Sequence, residues 1–361
     1  MKKILTVLGA RPQFIKASVV SAEIKKRPGI EEVVVHTGQH FDNNMSDVFF
    51  EELAMDRPKH QLDIHGGGHG EMTGRMLIKI EEIIKQEKPD VVLVYGDTNS
   101  TLAGALAACK LHIPVAHVEA GLRSFNMRMP EEINRILTDR VSSWLFTPTE
   151  AASQNLVAEG VSTEKIMGVG DVMYDVALFH GERVSENGGL LKKLGLQAKQ
   201  YFLATIHRAE NTDDVSRLKN IIAALNEAAN DLLPIVWPIH PRTRITLARE
   251  GLTDALSDKV ILIDPVGYLD MVQLEKFAAA VVTDSGGVQK EAFFHGVPCI
   301  TLRDETEWVE LVDGGWNTLV PPGKIAAFKE IVSAALAAER SPISPYGRGD
   351  ASARIVDALE A

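Results

Sequence analysis

The chain has 361 residues, 45% hydrophobic and 24% charged, ordinary globular usage that excludes a disordered chain. That length is too great for one ordinary core, so two domains are expected. Its 49 acidic and 38 basic residues give a net charge of −11, which disfavours a broad nucleic-acid or acidic-membrane surface but leaves room for a local cationic pocket.

Two cysteines, Cys109 and Cys299, lie far apart with no CxxC, so neither a disulfide framework nor a zinc knuckle is expected. The opening Met1-Lys2-Lys3 and the short apolar run after it do not make a signal h-region. No apolar run approaches the roughly 18 residues of a membrane span, so a cytoplasmic protein with no membrane partner is expected.

Taken in chain order, short apolar runs at 4–8, 32–36, 91–95, 115–118 and 144–147 read as strands. Amphipathic stretches at 15–26, 72–86 and 100–111 read as helices between them. Runs such as VVLVY, apolar at every position, imply strands buried on both faces, hence a parallel sheet covered by helices. The rhythm restarts near Tyr201. Strands are expected in YFLATIH, LPIVWPIH, KVILID, AAVVTDSGG and VPCITL. Helices are expected at 215–229, 242–249, 269–277 and 288–294. The polar stretch 181–200 reads as a linker with a short helix. The fold class is therefore α/β with two Rossmann-like domains, residues 1–170 and 171–361. A final helix over 351–359 is a candidate to cross back onto the first domain.

In open parallel sheets, ligands lie at the carboxyl ends of strands. Gly9-Ala10-Arg11-Pro12 follows the first strand. Arg11 there, and Lys16 one turn on, are good anion positions near a helix N-terminus. Gly96-Asp97-Thr98 follows VVLVY, and Asp97 reads equally as a helix cap or an acid–base group. Glu119 follows AHV, with Gly121 and Arg123 behind it; Arg123 either bridges Glu119 or faces a ligand. Pro130-Glu131-Glu132 matches ordinary helix capping, yet Asp97, Glu119 and Glu131 share one sheet edge. Carboxylates gathered there repel and need cations. Arg11, Lys16 and Arg123 are the candidates.

In the second domain, His207 and Arg208 close the strand FLAT, and His207 is a candidate acid or phosphate ligand. Ser285-Gly286-Gly287 opens a helix with free backbone amides, a phosphate seat, and Glu291 is placed to accept from ribose hydroxyls. No GxxxxGK[ST] and no GxGxxG occurs, so neither a P-loop nor a nicotinamide site is supported. His65-Gly-Gly-Gly-His69 has i, i+4 spacing, but its glycines oppose a helix and no carboxylate set completes it, so no metal is expected.

GARPQFIK (9–16), TGQH (37–40), GDTNS (96–100), HVEAGLR (117–123), PEEINR (130–135), TIHRAEN (205–211), TDSGGVQKEA (283–292) and LRDETE (302–307) follow one another in a known order. In this the chain resembles the non-hydrolysing UDP-N-acetylglucosamine 2-epimerases from residue 9 to about 320. The resemblance implies a glycosyltransferase-B fold with the active site in the interdomain cleft, a homodimer, and a UDP-sugar substrate with no cofactor. It implies that Asp97, Glu119, Glu131 and His207 are catalytic. Arg11, Lys16, Arg123 and Arg208 would contact diphosphate and sugar, and Ser285, Gly286, Gly287 and Glu291 the phosphate and ribose. Ala10, Gln13, Phe14 and the late loop ETEWVEL depart from the commoner family pattern. They resemble the branch acting on UDP-2,3-diacetamido-2,3-dideoxyglucuronic acid in O-antigen synthesis. The alternatives are a UDP-GlcNAc to UDP-ManNAc 2-epimerase, a glycosyltransferase of the same fold, a hydrolysing epimerase and a non-catalytic nucleotide-sugar-binding regulator.

Overall fold

A computed structural model describes residues 1–39 and 47–361. The chain forms two compact units: Met1–Val176 together with Ser344–Ala361, and Ala177–Ile343.

Among the described residues, the first unit carries a seven-stranded sheet: β1 (Lys2–Leu8), β2 (Ile30–His36), β3 (His60–Gln61), β4 (Val91–Tyr95), β5 (Val115–Val118), β6 (Trp144–Thr147) and β7 (Ile166–Gly168). Their order is β3-β2-β1-β4-β5-β6-β7, and every pair is parallel. Every residue of β4 and β5 is buried, as the apolar runs require when helices cover both faces. On one face Leu5, Val7, Val92 and Val94 pack against Met76, Ile80 and Ile84 of the helix His69–Glu87 and the alanines of Asn99–Lys110. The strand order reverses between β1 and β4. A crevice opens there at the carboxyl edge, between the starts of helices Arg11–Ile24 and Asn99–Lys110.

That opening is set by close backbone approach. A Cβ on Gly9 would lie 1.9 Å from Ser100 Oγ and 2.5 Å from Thr37 Oγ1, so only glycine fits. Helix Arg11–Ile24 starts on Ala10, which has no capping side chain. Gln13 takes over: its Oε1 accepts from the amides of Gly9 (2.7 Å) and Ala10 (3.1 Å), and its Nε2 donates to the Tyr95 carbonyl (2.7 Å). One side chain thus closes one loop and ties it to the next. The final helix, Ala351–Glu360, packs on Arg11–Ile24 within the same unit. Asp175 holds its start, accepting from the Ala351 and Ser352 amides and the Ser352 hydroxyl.

The second unit carries a six-stranded parallel sheet of β8 (Phe202–Thr205), β9 (Ile235–Pro238), β10 (Val260–Ile263), β11 (Ala280–Thr283), β12 (Cys299–Thr301) and β13 (Asn317–Leu319), in the order β10-β9-β8-β11-β12-β13. Phe202, Trp237, Ile300 and Phe328 are among its core residues. This sheet also reverses direction, between β8 and β11. The loops carrying His207 and Ser285 leave from those neighbouring ends.

Gly9→Ala is expected to cost about 1–3 kcal/mol, the usual penalty for overpacking a closed contact. Thermal melting followed by circular dichroism checks this, and melting at the wild-type temperature would remove the packing argument.

Candidate active site

In the first unit, the β1–β4 crevice contains a cavity of about 220 Å³. Gln13, Lys16, Gln39, Asp97, Glu131 and Asn134 contribute to its walls. His40, the last residue of TGQH, lies outside the described residues.

Each candidate carboxylate has a distinct setting. Glu119 sits directly after β5 at φ +69°, a left-handed conformation that a non-glycine residue adopts at a cost. Its carboxylate is largely buried and pairs with Lys16, one turn into the first helix. A Cβ on Gly96 would stand 3.4 Å from Glu119 Oε2, so the loops after β4 and β5 are in contact. Asp97 is one-third exposed and pairs with Arg135. Glu131 lies in the first turn of helix Pro130–Val141, exposed on the cavity wall. Among the described residues no hydrogen bond or ion pair holds it.

The neighbouring Glu132 is used differently. It is buried and accepts from the amides of Ser124 (3.0 Å) and Phe125 (2.9 Å) and from Arg135 Nη1 (2.5 Å). Burial alone would raise its pKa, but those donors hold the carboxyl below the ordinary range. Of the two glutamates after Pro130, one is spent on structure and the other is left to the cavity.

Arg123 is not brought to the cavity. Its side chain is 1% exposed and is bound by Asp139 at 2.8 Å and by Glu159 at 2.7 and 2.9 Å, rather than by Glu119. Gly121, at φ +80°, turns the chain away between Glu119 and Arg123. Asp139 also accepts from the Gly121 amide and holds His117 Nδ1 at 2.7 Å. His117 Nε2 lies 2.7 Å from the Gly96 carbonyl. This buried chain fixes the loop that carries Asp97. The cation beside Asp97 is Arg135, which the sequence reading passed over because it lies 38 residues away in the chain. Asn134, also passed over, donates to the Asp97 carbonyl (2.9 Å) and to Asn99 Oδ1 (3.1 Å). Arg11 opens the first helix and is partly buried.

In the second unit, Asp284 is fully buried and organises the loop after β8. It accepts from the backbone amides of His207 and Arg208 and from Asn211 Nδ2. His207 Nδ1 stands 3.5 Å from Asp284 Oδ1, with the ring 45% exposed. The ring lines an open cavity of about 270 Å³ with His240, Pro265, Val266 and Met271. Arg208 is partly buried, 3.5 Å from Glu210. Ser285 precedes helix Gly286–Phe294, its side chain making no capping bond. Its amide is spent on Thr283 Oγ1, while Gly286 receives the Trp308 indole N–H at its carbonyl (2.8 Å). Fully buried Gln289 ties this turn to the late loop: Nε2 donates to the Ser285 carbonyl, and Oε1 accepts from Thr306 and Asn317. Glu291 lies beside Glu275. Burial and the neighbouring Glu291 charge push the Glu275 carboxyl well above the ordinary range.

Two all-parallel sheets of this strand order, one per unit, are the layout of the glycosyltransferase-B fold. Residues 22–360 match the family model described as UDP-N-acetylglucosamine 2-epimerase. The chain is 58% identical over 363 residues, covering 99% of both chains, to a UDP-2,3-diacetamido-2,3-dideoxy-D-glucuronate 2-epimerase of Pseudomonas aeruginosa. It superimposes on the UDP-GlcNAc 2-epimerase of Methanocaldococcus jannaschii with a TM-score of 0.91, at 46% identity and 99% coverage of each chain. The same enzyme solved with UDP-GlcNAc and UDP gives a TM-score of 0.82 at the same identity and coverage. The chain belongs to the UDP-N-acetylglucosamine 2-epimerase family.

Because Arg123 is the buried cation between Asp139 and Glu159, Arg123→Met is expected to cost about 3–5 kcal/mol of stability by leaving the buried Asp139 without its cation. Chemical denaturation measures this, with UDP titration on the folded variant beside it. Unchanged stability with weakened UDP binding would instead make Arg123 a ligand contact.

Proposed function

We propose that this chain inverts C2 of UDP-2,3-diacetamido-2,3-dideoxyglucuronic acid, giving the manno isomer, by eliminating and re-adding UDP. The observation that carries this is the crevice of the first unit, where Asp97, Glu119 and Glu131 line or adjoin one cavity with two of the three already matched to cations. The identity to the Pseudomonas enzyme along the whole chain favours that sugar. UDP-GlcNAc is the second reading, favoured by the likeness to the Methanocaldococcus enzyme.

A C2 hydrogen is barely acidic, so a carboxylate removes it as the C1–O bond to UDP breaks, giving a 2-acetamidoglycal. A proton then returns to the opposite face of C2 while UDP re-adds at C1. The reaction needs a base, an acid and support for the leaving diphosphate. Lys16 and Arg135 keep Glu119 and Asp97 neutralised in fixed positions. Glu131, without a cation, changes protonation state without breaking an ion pair. In the second unit, His207, Arg208 and the Ser285-Gly286-Gly287 turn serve the diphosphate, and Glu291, ordered by Glu275, serves the ribose. Arg11 adds a cation at the first helix start. Turnover in D2O is expected to place deuterium at C2 of product, read by NMR. Product carrying only the original hydrogen would reject proton exchange with solvent. Arg135→Met, by freeing Asp97, is expected to lower kcat by roughly 100-fold, as misplacing a reacting group does. A kcat near wild type would remove Asp97 from the chemistry.

The active form is a homodimer in this reading. Ile78 (58% exposed), Ile133 (41%) and Leu137 (43%) stand on helices that flank Asn99–Lys110, beside an apolar groove lined by Gly70, Gly74 and Leu77. Clustered apolar exposure of this kind marks an interface. Ile133→Asp is expected to halve the mass seen by light scattering, and a wild-type protein of monomer mass would overturn the dimer.

A further inference from the structure

His69 opens helix His69–Glu87 and lines both the 220 Å³ cavity and the apolar groove beside it. No role came to it from the sequence, where its pairing with His65 only raised the question of a metal. Its ring is set by a chain that starts at a catalytic loop. Asn134 Nδ2 donates to the Asp97 carbonyl (2.9 Å) and to Asn99 Oδ1 (3.1 Å). Asn99 therefore presents its amide hydrogens on the other side, where Nδ2 lies 3.2 Å from His69 Nδ1. Nδ1 is the acceptor in that contact, so the ring carries its hydrogen on Nε2. Two other donors of the cavity wall are committed. Gln13 spends both ends on backbone and threonines, and Lys16 is held by Glu119. Room lies next to the imidazole: a Cβ on Gly66, Gly68 or Gly70 would meet nothing within 4 Å.

We infer that His69 is a specificity-determining residue whose Nε2–H binds the C6 carboxylate of the substrate sugar. This rests on the proposed uronate substrate. A wall bearing Asp97 and Glu131 repels a sugar carboxylate, so an anionic sugar needs a donor placed among them. His69 supplies one whose position is fixed relative to Asp97, and the glycines leave space for the group that GlcNAc lacks.

The test compares wild type, His69→Leu and His69→Gln on three nucleotide sugars: UDP-2,3-diacetamidoglucuronate, UDP-N-acetylglucosaminuronate and UDP-GlcNAc. UDP binding serves as the control for folding. His69→Leu is expected to lower kcat/KM by about tenfold or more on both uronates, the scale of a hydrogen bond to a charged group. UDP affinity and any turnover of UDP-GlcNAc stay unchanged. His69→Gln, which keeps an N–H donor, recovers part of the loss. A loss confined to the diacetamido sugar would assign His69 to the 3-acetamido group and overturn the carboxylate contact. So would equal losses on all three sugars, or none. Wild type that turns over UDP-GlcNAc and neither uronate would overturn the substrate reading and this one with it. A wild-type rate for His69→Leu on the uronates overturns this one alone.

Discussion

Mutual repulsion among acidic side chains is the constraint around which the first unit is built. Glu119 and Asp97 stand on touching loops, so their like charges repel. The fold answers with two cations from two different helices, Lys16 from the one after β1 and Arg135 from the one after β5. Each cation rides on a rigid element, so neutralisation and positioning are one act. The strained backbone of Glu119 belongs to the same arrangement. A left-handed residue costs about 1–3 kcal/mol and persists where its surroundings fix it, and here the Lys16 ion pair holds the side chain that the strain aims.

Behind that layer lies a second, wholly internal one. Asp139 gathers His117, Arg123 and the Gly121 amide, and His117 reaches on to the Gly96 carbonyl. The loop after β4 is thereby hung from the helix Pro130–Val141 through β5. The proximity of Glu119 and Arg123 in the chain suggested a bridge between them. The turn at Gly121 sends the two side chains to opposite layers, one to the cavity and one to the interior. Sequence spacing could not show this, because it depends on a backbone reversal of one residue.

Most of the strand pattern was readable because burial on both faces leaves a run of apolar residues that nothing else explains. β4, β5 and β6 have the bounds read from the sequence. The two-residue β3 and three-residue β13 are too short to show a period. The starts read at 215 and 351 are those of the structure, but others were read late. The first helix begins at Arg11 rather than at about Gln13 because Gln13 reaches back to close it, and helix Gly286–Phe294 begins on the glycines themselves. The site loops were legible from the strand-end rule alone. Their partners were not: Arg135 meets Asp97, Asn134 meets Asn99 and Gln289 meets Thr306 across 38, 35 and 17 residues. A chain pattern records which residues are present, while these contacts record which loops the sheet brings together.

The charge balance takes its meaning from the same contacts. A chain of net charge −11 handling an anionic ligand invites the expectation of unpaired cations waiting in a pocket. Lys16 and Arg135 instead enter already matched to carboxylates, and the proposed diphosphate seat joins Arg11 and Arg208 to the neutral donors of a Ser-Gly-Gly helix start. Donors that the fold holds in place need little reorganisation as charge develops on a leaving diphosphate. Paired cations hold Glu119 and Asp97 in place, and in the proposed reaction oriented dipoles help receive the anion. That division lets acid–base groups and an anionic leaving group work within one acidic protein.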